Sequence, residues 1–317
     1  MTSARRARIA VTGAGGFVGR HVVEVARAQG HEAVAIVRSE RSGSALDGVA
    51  DEVVIADLAA GWPDVGADAI IHLAGHAAVG ESFDHPQRYI ADTSAMMTAL
   101  SESLLATPET QRPRCVIVST GAVYASPVDD TPLDEEAPIA PSSPYVVSKM
   151  LLEFQAEHYR RRGLDMVVAR PFNHIGPRQR SGFLVPDLIA SLQALAEGQQ
   201  LRVGNLDTRR DYSDVRDVAA AYLMLALAPR LSRAVYNVCS GVSRSGREIL
   251  ALVCAALDRP VPPLRLDSTR IRATDPAVIR GSADAIRDEL GWTPRVPLTQ
   301  TLSDLVEAWE TEAGPGR

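Results

Sequence analysis

Tyr145 and Lys149 stand four residues apart in Tyr145-Val-Val-Ser-Lys149, directly after Pro144. On a helix that spacing puts both side chains on one face. A phenol with a pKa near ~10 is a poor acid–base catalyst at neutral pH. A neighbouring ammonium stabilises the phenolate and brings it into a useful range. Any helix can carry such a pair, so its weight comes from company. Ser119-Thr120 ends an apolar strand upstream and offers a hydroxyl to a reacting oxygen. Thr12-Gly-Ala-Gly-Gly-Phe-Val-Gly19 follows a strand and opens a helix. Glycine lets backbone at such a turn approach a pyrophosphate, and the helix amino end favours its charge. The glycines at 13, 16 and 19 depart from the usual G-x-G-x-x-G, and a tight turn without a ligand is the bland alternative. Arg38 ends the second strand, where an acidic residue would bind the ribose hydroxyls of NAD. An arginine there favours the extra phosphate of NADP, so Arg38 points to NADP(H), with NAD(H) the alternative.

Short apolar runs must position these residues. Residues 8–11, 33–37, 52–56, 69–73, 114–119 and 166–170 read as buried strands. Helical stretches between them include 21–29, 88–105 and 144–162. Continuous apolar strands alternating with helices predict a doubly wound α/β fold, a Rossmann-type parallel sheet covered on both faces. After Pro171 the rhythm changes, with more Pro, Gly and Arg. Helices are expected at 183–197, 217–228 and 247–257, and a late strand at 234–238. The expected organisation is a dinucleotide-binding domain over 1–172, to which the chain returns around 210–238. A smaller, interleaved α/β substrate lobe takes most of 173–317.

The 317 residues, 46% hydrophobic, suffice for a large core. A net charge of -6 argues against nucleic acid as a partner. No apolar run approaches the ~20 residues of a membrane span. Cys115, Cys239 and Cys254 are unpaired in spacing, which fits a reducing cytoplasm. No His/Cys/carboxylate cluster has metal-ligand spacing.

Taken together, these segments resemble the extended short-chain dehydrogenase/reductases, the nucleotide-sugar epimerases, dehydratases and reductases. The resemblance runs through residues 8–310. It rests on the glycine turn, Asp57-Leu58, His72-Leu-Ala-Gly75, Ser119-Thr-Gly-Ala-Val-Tyr124, Tyr145-x-x-x-Lys149 and Arg170-Pro-Phe-Asn-His-Ile-Gly-Pro-Arg-Gln179. It implies that Thr120, Tyr145 and Lys149 are catalytic. It places Gly13, Gly16, Phe17, Val18, Gly19, Arg38, Asp57, Leu58, Leu73, Ala74, Gly75 and Pro171 at the cofactor, with Tyr145 and Lys149. It implies a homodimer through the helices at 88–105 and 144–162, as a four-helix bundle.

Residues 204–217, beginning Gly-Asn-Leu and ending Arg-Asp, resemble a segment of the family's GDP-sugar enzymes. Residues 267–275 resemble the Arg-x-Arg-Pro-x-Asp stretch of its reductases, with Ala273 in place of proline. By that likeness Ser82, Thr120, Asn173, Arg178, Val185, Asn205, Arg210 and Arg270 face the substrate, and guanidinium forks suit a diphosphate. In related dehydratases an acidic residue stands two positions before the Tyr of Val-Tyr; here it is Ala122, preceded by Gly121. The expected reaction is therefore NAD(P)H-dependent reduction of the 4-keto group of GDP-4-keto-6-deoxymannose, giving GDP-rhamnose or GDP-6-deoxytalose. Alternatives are a nucleotide-sugar 4-epimerase with retained NAD, a GDP-mannose 4,6-dehydratase, and a non-catalytic NADP-sensing regulator. His76 and Glu81 suggest a keto-sugar acid–base pair, but His76 fits a structural or substrate-lining role better.

Overall fold

Runs such as Ile9-Ala-Val11 and Val116-Ile-Val118 are apolar at every position because both faces of their sheet are covered. The computed structural model describes residues 6–127, 129–270 and 276–313. Its first half comprises β1 (Arg8–Thr12), α1 (Phe17–Ala28), β2 (Glu32–Val37), α2 (Glu40–Ser44), β3 (Glu52–Ile55), β4 (Ala69–His72), α3 (Val79–Asp84), α4 (Pro86–Ala106), β5 (Arg114–Val118), α5 (Pro144–Arg161) and β6 (Met166–Pro171). There follow β7 (Asn173–Ile175), α6 (Leu184–Ala194), β8 (Leu201–Val203), β9 (Arg209–Asp214), α7 (Val215–Leu227), β10 (Val235–Val238), β11 (Ser243–Ser245), α8 (Gly246–Ala256), β12 (Leu264–Leu266), β13 (Val278–Ile279), α9 (Asp284–Leu290) and α10 (Leu298–Ala313).

The main sheet has the order β10-β6-β5-β4-β1-β2-β3, and all its pairs are parallel. Chain order reverses between β1 and β4, the switch point at which such sheets open a crevice at their carboxyl ends. Period-two alternation sorts the strand residues. Ile9, Val11, Ile71, Val116 and Val118 pack with α1 and α7, while Ala10, Ile70, Cys115 and Ile117 pack with α4 and α5. This is the doubly wound Rossmann arrangement.

The second lobe has its own core, built from Val185, Leu188 and Ile189 of α6, Ile249 and Val253 of α8, and Leu302 and Leu305 of α10. Strands β11, β9 and β13 form a small sheet that β7 joins, and β12 pairs with β8. The chain returns to the main sheet through α7 and β10. It returns again further on, where Ile286 of α9 and Trp292 enter the α1/α7 core and Trp292 Nε1 donates to Asp217 O at 3.1 Å.

Helix α1 begins at Phe17, four residues before the start read from the sequence, because Gly16 is extended and the helix springs straight from the turn. Strand β9 was invisible to periodicity. Its sequence, Arg-Arg-Asp-Tyr-Ser-Asp, lacks an apolar run, and it is held by pairing to β7, β11 and β13. Buried Asp211 helps by accepting the Ser240 and Gly241 amides at 2.8 and 2.9 Å. All three cysteines are free and buried. Among the described residues, no helix is long and apolar enough to cross a membrane.

Phe172 lies where the two lobes meet and is gripped by two glycines. A Cβ on Gly281 would fall 2.6 Å from Cys239 Sγ and 2.7 Å from Phe172 Cε2. Gly281→Ala is therefore expected to cost about 1–3 kcal/mol through overpacking. Urea unfolding should show a lower midpoint at unchanged slope; an unmoved midpoint would mean that the Phe172 packing yields freely.

Candidate active site

The glycine turn is shaped by contact, not by sequence habit. Gly13 adopts φ 66°, a left-handed conformation that glycine tolerates. The Gly16 amide donates to Gly13 O at 2.9 Å and closes the turn. A Cβ on Gly19 would lie 2.3 Å from Gly13 O and 2.7 Å from Ala14 Cα, so helix and turn touch backbone to backbone. No side chain caps α1, which leaves its first-turn amides directed at whatever sits before Phe17. Bare amides on a glycine cradle at a switch point fit a dinucleotide pyrophosphate.

Thr12 ties this turn to the next loop. Its hydroxyl accepts the Leu73 and Ala74 amides, both at 3.0 Å, and lies 2.9 Å from His72 Nδ1. With both lone pairs used, the hydroxyl proton must go to Nδ1, so His72 carries its hydrogen on Nε2. Burial, and then the charge of Lys149, push the His72 pKa down to about 3, and the ring is neutral. Further out, Arg38 is exposed at the end of β2, beside Ser39, which caps α2. Asp57 is exposed after β3 and accepts the Ala59 amide, whereas Leu58 is buried.

Ser143 caps α5 by accepting the Val146 amide at 3.2 Å, and Pro144 starts the helix. Tyr145 and Lys149 consequently occupy successive turns on one face. At the end of β5, Thr120 caps a single 3-10 turn over residues 121–123 and hydrogen-bonds Tyr145. Lys149 Nζ donates to Val118 O at 2.9 Å and approaches Gly75 of the loop after β4. The structure thus brings together the glycine turn, residues 73–75, Thr120, Tyr145 and Lys149.

The electrostatics differ from expectation in one respect. Lys149 was expected to lower the Tyr145 pKa, yet Tyr145 is raised, because burial outweighs the Thr120 hydrogen bond. The ammonium serves Val118 O instead. Lys149 itself is lowered to about 8 by burial, with the Glu153 charge opposing. Tyr145 is therefore held protonated, the state of an acid.

A network behind this pair escaped the sequence reading. Glu153, on the turn after Lys149, accepts Arg170 Nε at 3.0 Å and Nη2 at 2.7 Å, and also the Ser119 hydroxyl. Arg170 in turn donates to Tyr124 Oη at 3.0 Å and stacks over its ring. Tyr124 Oη donates to Asn237 Oδ1 at 2.7 Å. One signal was available: Lys149 is the only lysine among 33 basic residues, and Glu153 follows it at i+4.

The substrate-side residues are more dispersed. Asn173 is exposed on β7 beside Pro171, the buried end of β6. Arg178, at φ 69°, pairs with Glu24 of α1 at 2.9 Å. Val185 is buried in the second-lobe core. Arg210 donates to Pro276 O at 2.9 Å. Asn205 lines a pocket of about 390 Å³ with Val203, Asp207, Arg247, Leu264 and Leu266. Ser82 is buried and donates to Val79 O at 2.6 Å. The side chain of Arg270 lies outside the described residues. His76 is bound to Asp92 at 2.8 Å and packs on the Tyr89 ring, which favours the structural reading.

Comparison with known proteins agrees with this geometry. The pattern of the NAD dependent epimerase/dehydratase family matches residues 9–239. The chain is 33% identical to the GDP-6-deoxy-D-mannose reductase of Pseudomonas aeruginosa, covering 96% of this chain and 97% of that protein. It is 29% identical to the UDP-glucose 4-epimerase of Azospirillum brasilense, over 96% and 92% of the two chains. The solved structure of RMD from Pseudomonas aeruginosa, complexed with NADPH, superposes with a TM-score of 0.76 at 30% identity, over 96% and 99% of the chains. A glycine turn at the switch point of the sheet, with Thr120, Tyr145 and Lys149 nearby, is thus carried by a chain that belongs to the NAD dependent epimerase/dehydratase family, the extended short-chain dehydrogenase/reductases.

Proposed function

We propose that this enzyme reduces the 4-keto group of a GDP-linked 4-keto-6-deoxyhexose, with NADP(H) as its preferred cofactor and a GDP-6-deoxyhexose as product. The carrying observation is the Tyr145 hydroxyl hydrogen-bonded to Thr120, one helical turn from Lys149, in a chain alike over nearly its whole length to a GDP-6-deoxy-D-mannose reductase. The nicotinamide, when bound, supplies the hydride. Thr120 and Tyr145 share a hydrogen bond, so one ketone oxygen can receive both hydroxyls, and Tyr145 would give that oxygen its proton as hydride adds to the carbonyl carbon. Lys149, one turn away on the same helix and bound to Val118 O, would hold the nicotinamide ribose. The glycine turn and the α1 amides hold the pyrophosphate, and Arg38 takes the ribose phosphate. Asn173, Arg178, Asn205, Arg210 and Arg270 belong to the sugar-nucleotide side; Val185, buried in the second-lobe core, is not among them. Two copies pair through α4 and α5, where Val147 and Phe154 are exposed.

Dehydration fits less well. Ala122 supplies no carboxylate, and a Cβ on Gly121 would lie 2.9 Å from the Phe172 ring, so that position has no room for an acid. A 4-epimerase with retained NAD is the second reading, favoured by the shared Tyr–Lys pair and the 29% identity to a UDP-glucose 4-epimerase.

The test is turnover of GDP-4-keto-6-deoxymannose with NADPH, read by loss of reduced-nicotinamide absorbance and by product NMR. No oxidation, together with tight binding of another sugar nucleotide, would transfer the assignment to the epimerase. Tyr145→Phe should lower kcat by about 10²–10⁴ with unchanged thermal stability; undiminished turnover removes Tyr145 from the chemistry. Arg38→Ala should weaken NADPH by roughly ten- to a hundredfold, the loss of a charge-assisted contact, and leave NADH nearly unaffected. Equal weakening of both would take Arg38 away from the phosphate.

The pH dependence has a definite sign. Lys149 carries its charge below its pKa of about 8 and loses it above. Tyr145, raised by burial, remains an acid across that range. kcat/KM is therefore expected to fall as pH rises through about 8. A rate that climbs through that pH would show that a deprotonated group drives the reaction.

A further inference from the structure

Lys149 sits on an expensive spot. Its side chain is buried, its ammonium donates to the neutral Val118 carbonyl, and the neutral ring of His72 is its neighbour on β4. On its own helix it faces Tyr145, one turn back, and Glu153, one turn ahead. Behind Glu153 stand Arg170 of β6, Tyr124 after the 121–123 turn, and Glu135, whose backbone carbonyl accepts Arg170. Burial pushes Tyr124 up to about 12, so its phenol is neutral. Of all these, Glu153 is the group whose charge favours the ammonium.

The same carboxylate is a mechanical joint. Ser119, which it binds, is the residue before Thr120, and Arg170 ends the neighbouring strand. One side chain of α5 thereby grips the carboxyl ends of β5 and β6. It fixes the Thr120 hydroxyl, carried by β5, against the Tyr145 hydroxyl, carried by α5.

We propose that Glu153 is the positioning residue of the acid–base pair: it holds the end of β5 in register with α5, so that Thr120 meets Tyr145, and it supplies the negative charge that keeps Lys149 an ammonium. This rests on the assignment of Thr120, Tyr145 and Lys149 as the reacting constellation. The effect of charge and the effect of reach separate chemically. Glu153→Gln removes the charge and leaves the Arg170 cation unopposed near Lys149, so both changes favour the neutral amine. Glu153→Asp retains the charge but shortens the arm to Ser119 and Arg170.

Because Lys149 is the only lysine, the full chain grown with 13Cε-lysine gives one side-chain signal, and its titration reports Lys149 without any sugar present. The wild-type midpoint is expected near 8. In Glu153→Gln it should move down by roughly one unit or more. The double variant Glu153→Gln, Arg170→Met removes both charges and should recover part of that shift. It also keeps the test alive if a lone buried Arg170 prevents the single variant from folding. Glu153→Asp should titrate near wild type yet lose about tenfold in kcat at unchanged KM, as a misplaced hydroxyl does.

A Lys149 midpoint that is the same in wild type and in the Gln variants overturns the electrostatic half. Full kcat in Glu153→Asp overturns the positional half. Should the wild type reduce no keto sugar, the titration still decides the electrostatic half of the role of Glu153, so the two readings fail separately.

Discussion

An ammonium taken out of water loses several kcal/mol of solvation, and much of this structure's polar interior surrounds that loss. Lys149 is needed at the carboxyl edge of the sheet, where neighbouring strands and α5 exclude solvent. Among the described residues Lys149 has no direct ion pair, which would lock its charge. The chain gives it a carbonyl at close range and a carboxylate one turn away, itself anchored by Arg170. The result is a lysine held at the margin of ionisation, with a pKa of about 8, whose charge responds to small changes around it.

The same economy governs the mouth of the site. Thr12 uses every hydrogen-bonding capacity of its hydroxyl on the loop after β4, and this fixes the glycine turn against residues 73–75. A Cβ on Gly13 would meet the Ala74 amide nitrogen at 3.0 Å, so the two segments approach as closely as backbone allows. The glycine turn and the residues around Lys149 are therefore joined through β1 and β4. The second lobe is tied to them from the other side, since His21 of α1 lies 3.0 Å from Pro177 O and Arg178 reaches Glu24. An arginine expected at a diphosphate is thus an inter-lobe tie in this state.

What was legible in the sequence divides along a physical line. Except for the edge strand β3, the strands of the main sheet are buried on both faces, and burial on both faces writes a continuous apolar run that any window detects; all seven were read within a residue or two. The small strands of the second lobe carry no such mark. β9 contains two arginines and two aspartates, and it is a strand only because β7, β11 and β13 flank it. The Tyr–Lys pair and the glycine turn were legible because helix spacing and the glycine requirement are local. Glu153 and Arg170 were not, although both were in plain view, because their partnership joins α5 to β6 across the sheet and only the folded register makes them neighbours. The sign of the Tyr145 shift failed for a related reason: a spacing of four places the ammonium on the right face but says nothing about how deeply the phenol is buried.

That burial bears on which reaction the site is built for. An enzyme that inverts an alcohol must remove a proton and later return it, so its tyrosine works best with a pKa near the operating pH, ready in either state. A reductase asks less, since its tyrosine need only start protonated and give the proton once per turnover. The environment of Tyr145 pushes its pKa upward, and Lys149 does not point at it to oppose that. A tyrosine so placed stays protonated at neutral pH, and its phenolate, once formed, is a strong base. Gly121 and Ala122 remove the side chains with which a neighbouring acid could share the work. A phenol kept in its protonated form is what the proposed reduction asks of Tyr145, and burial works in that direction.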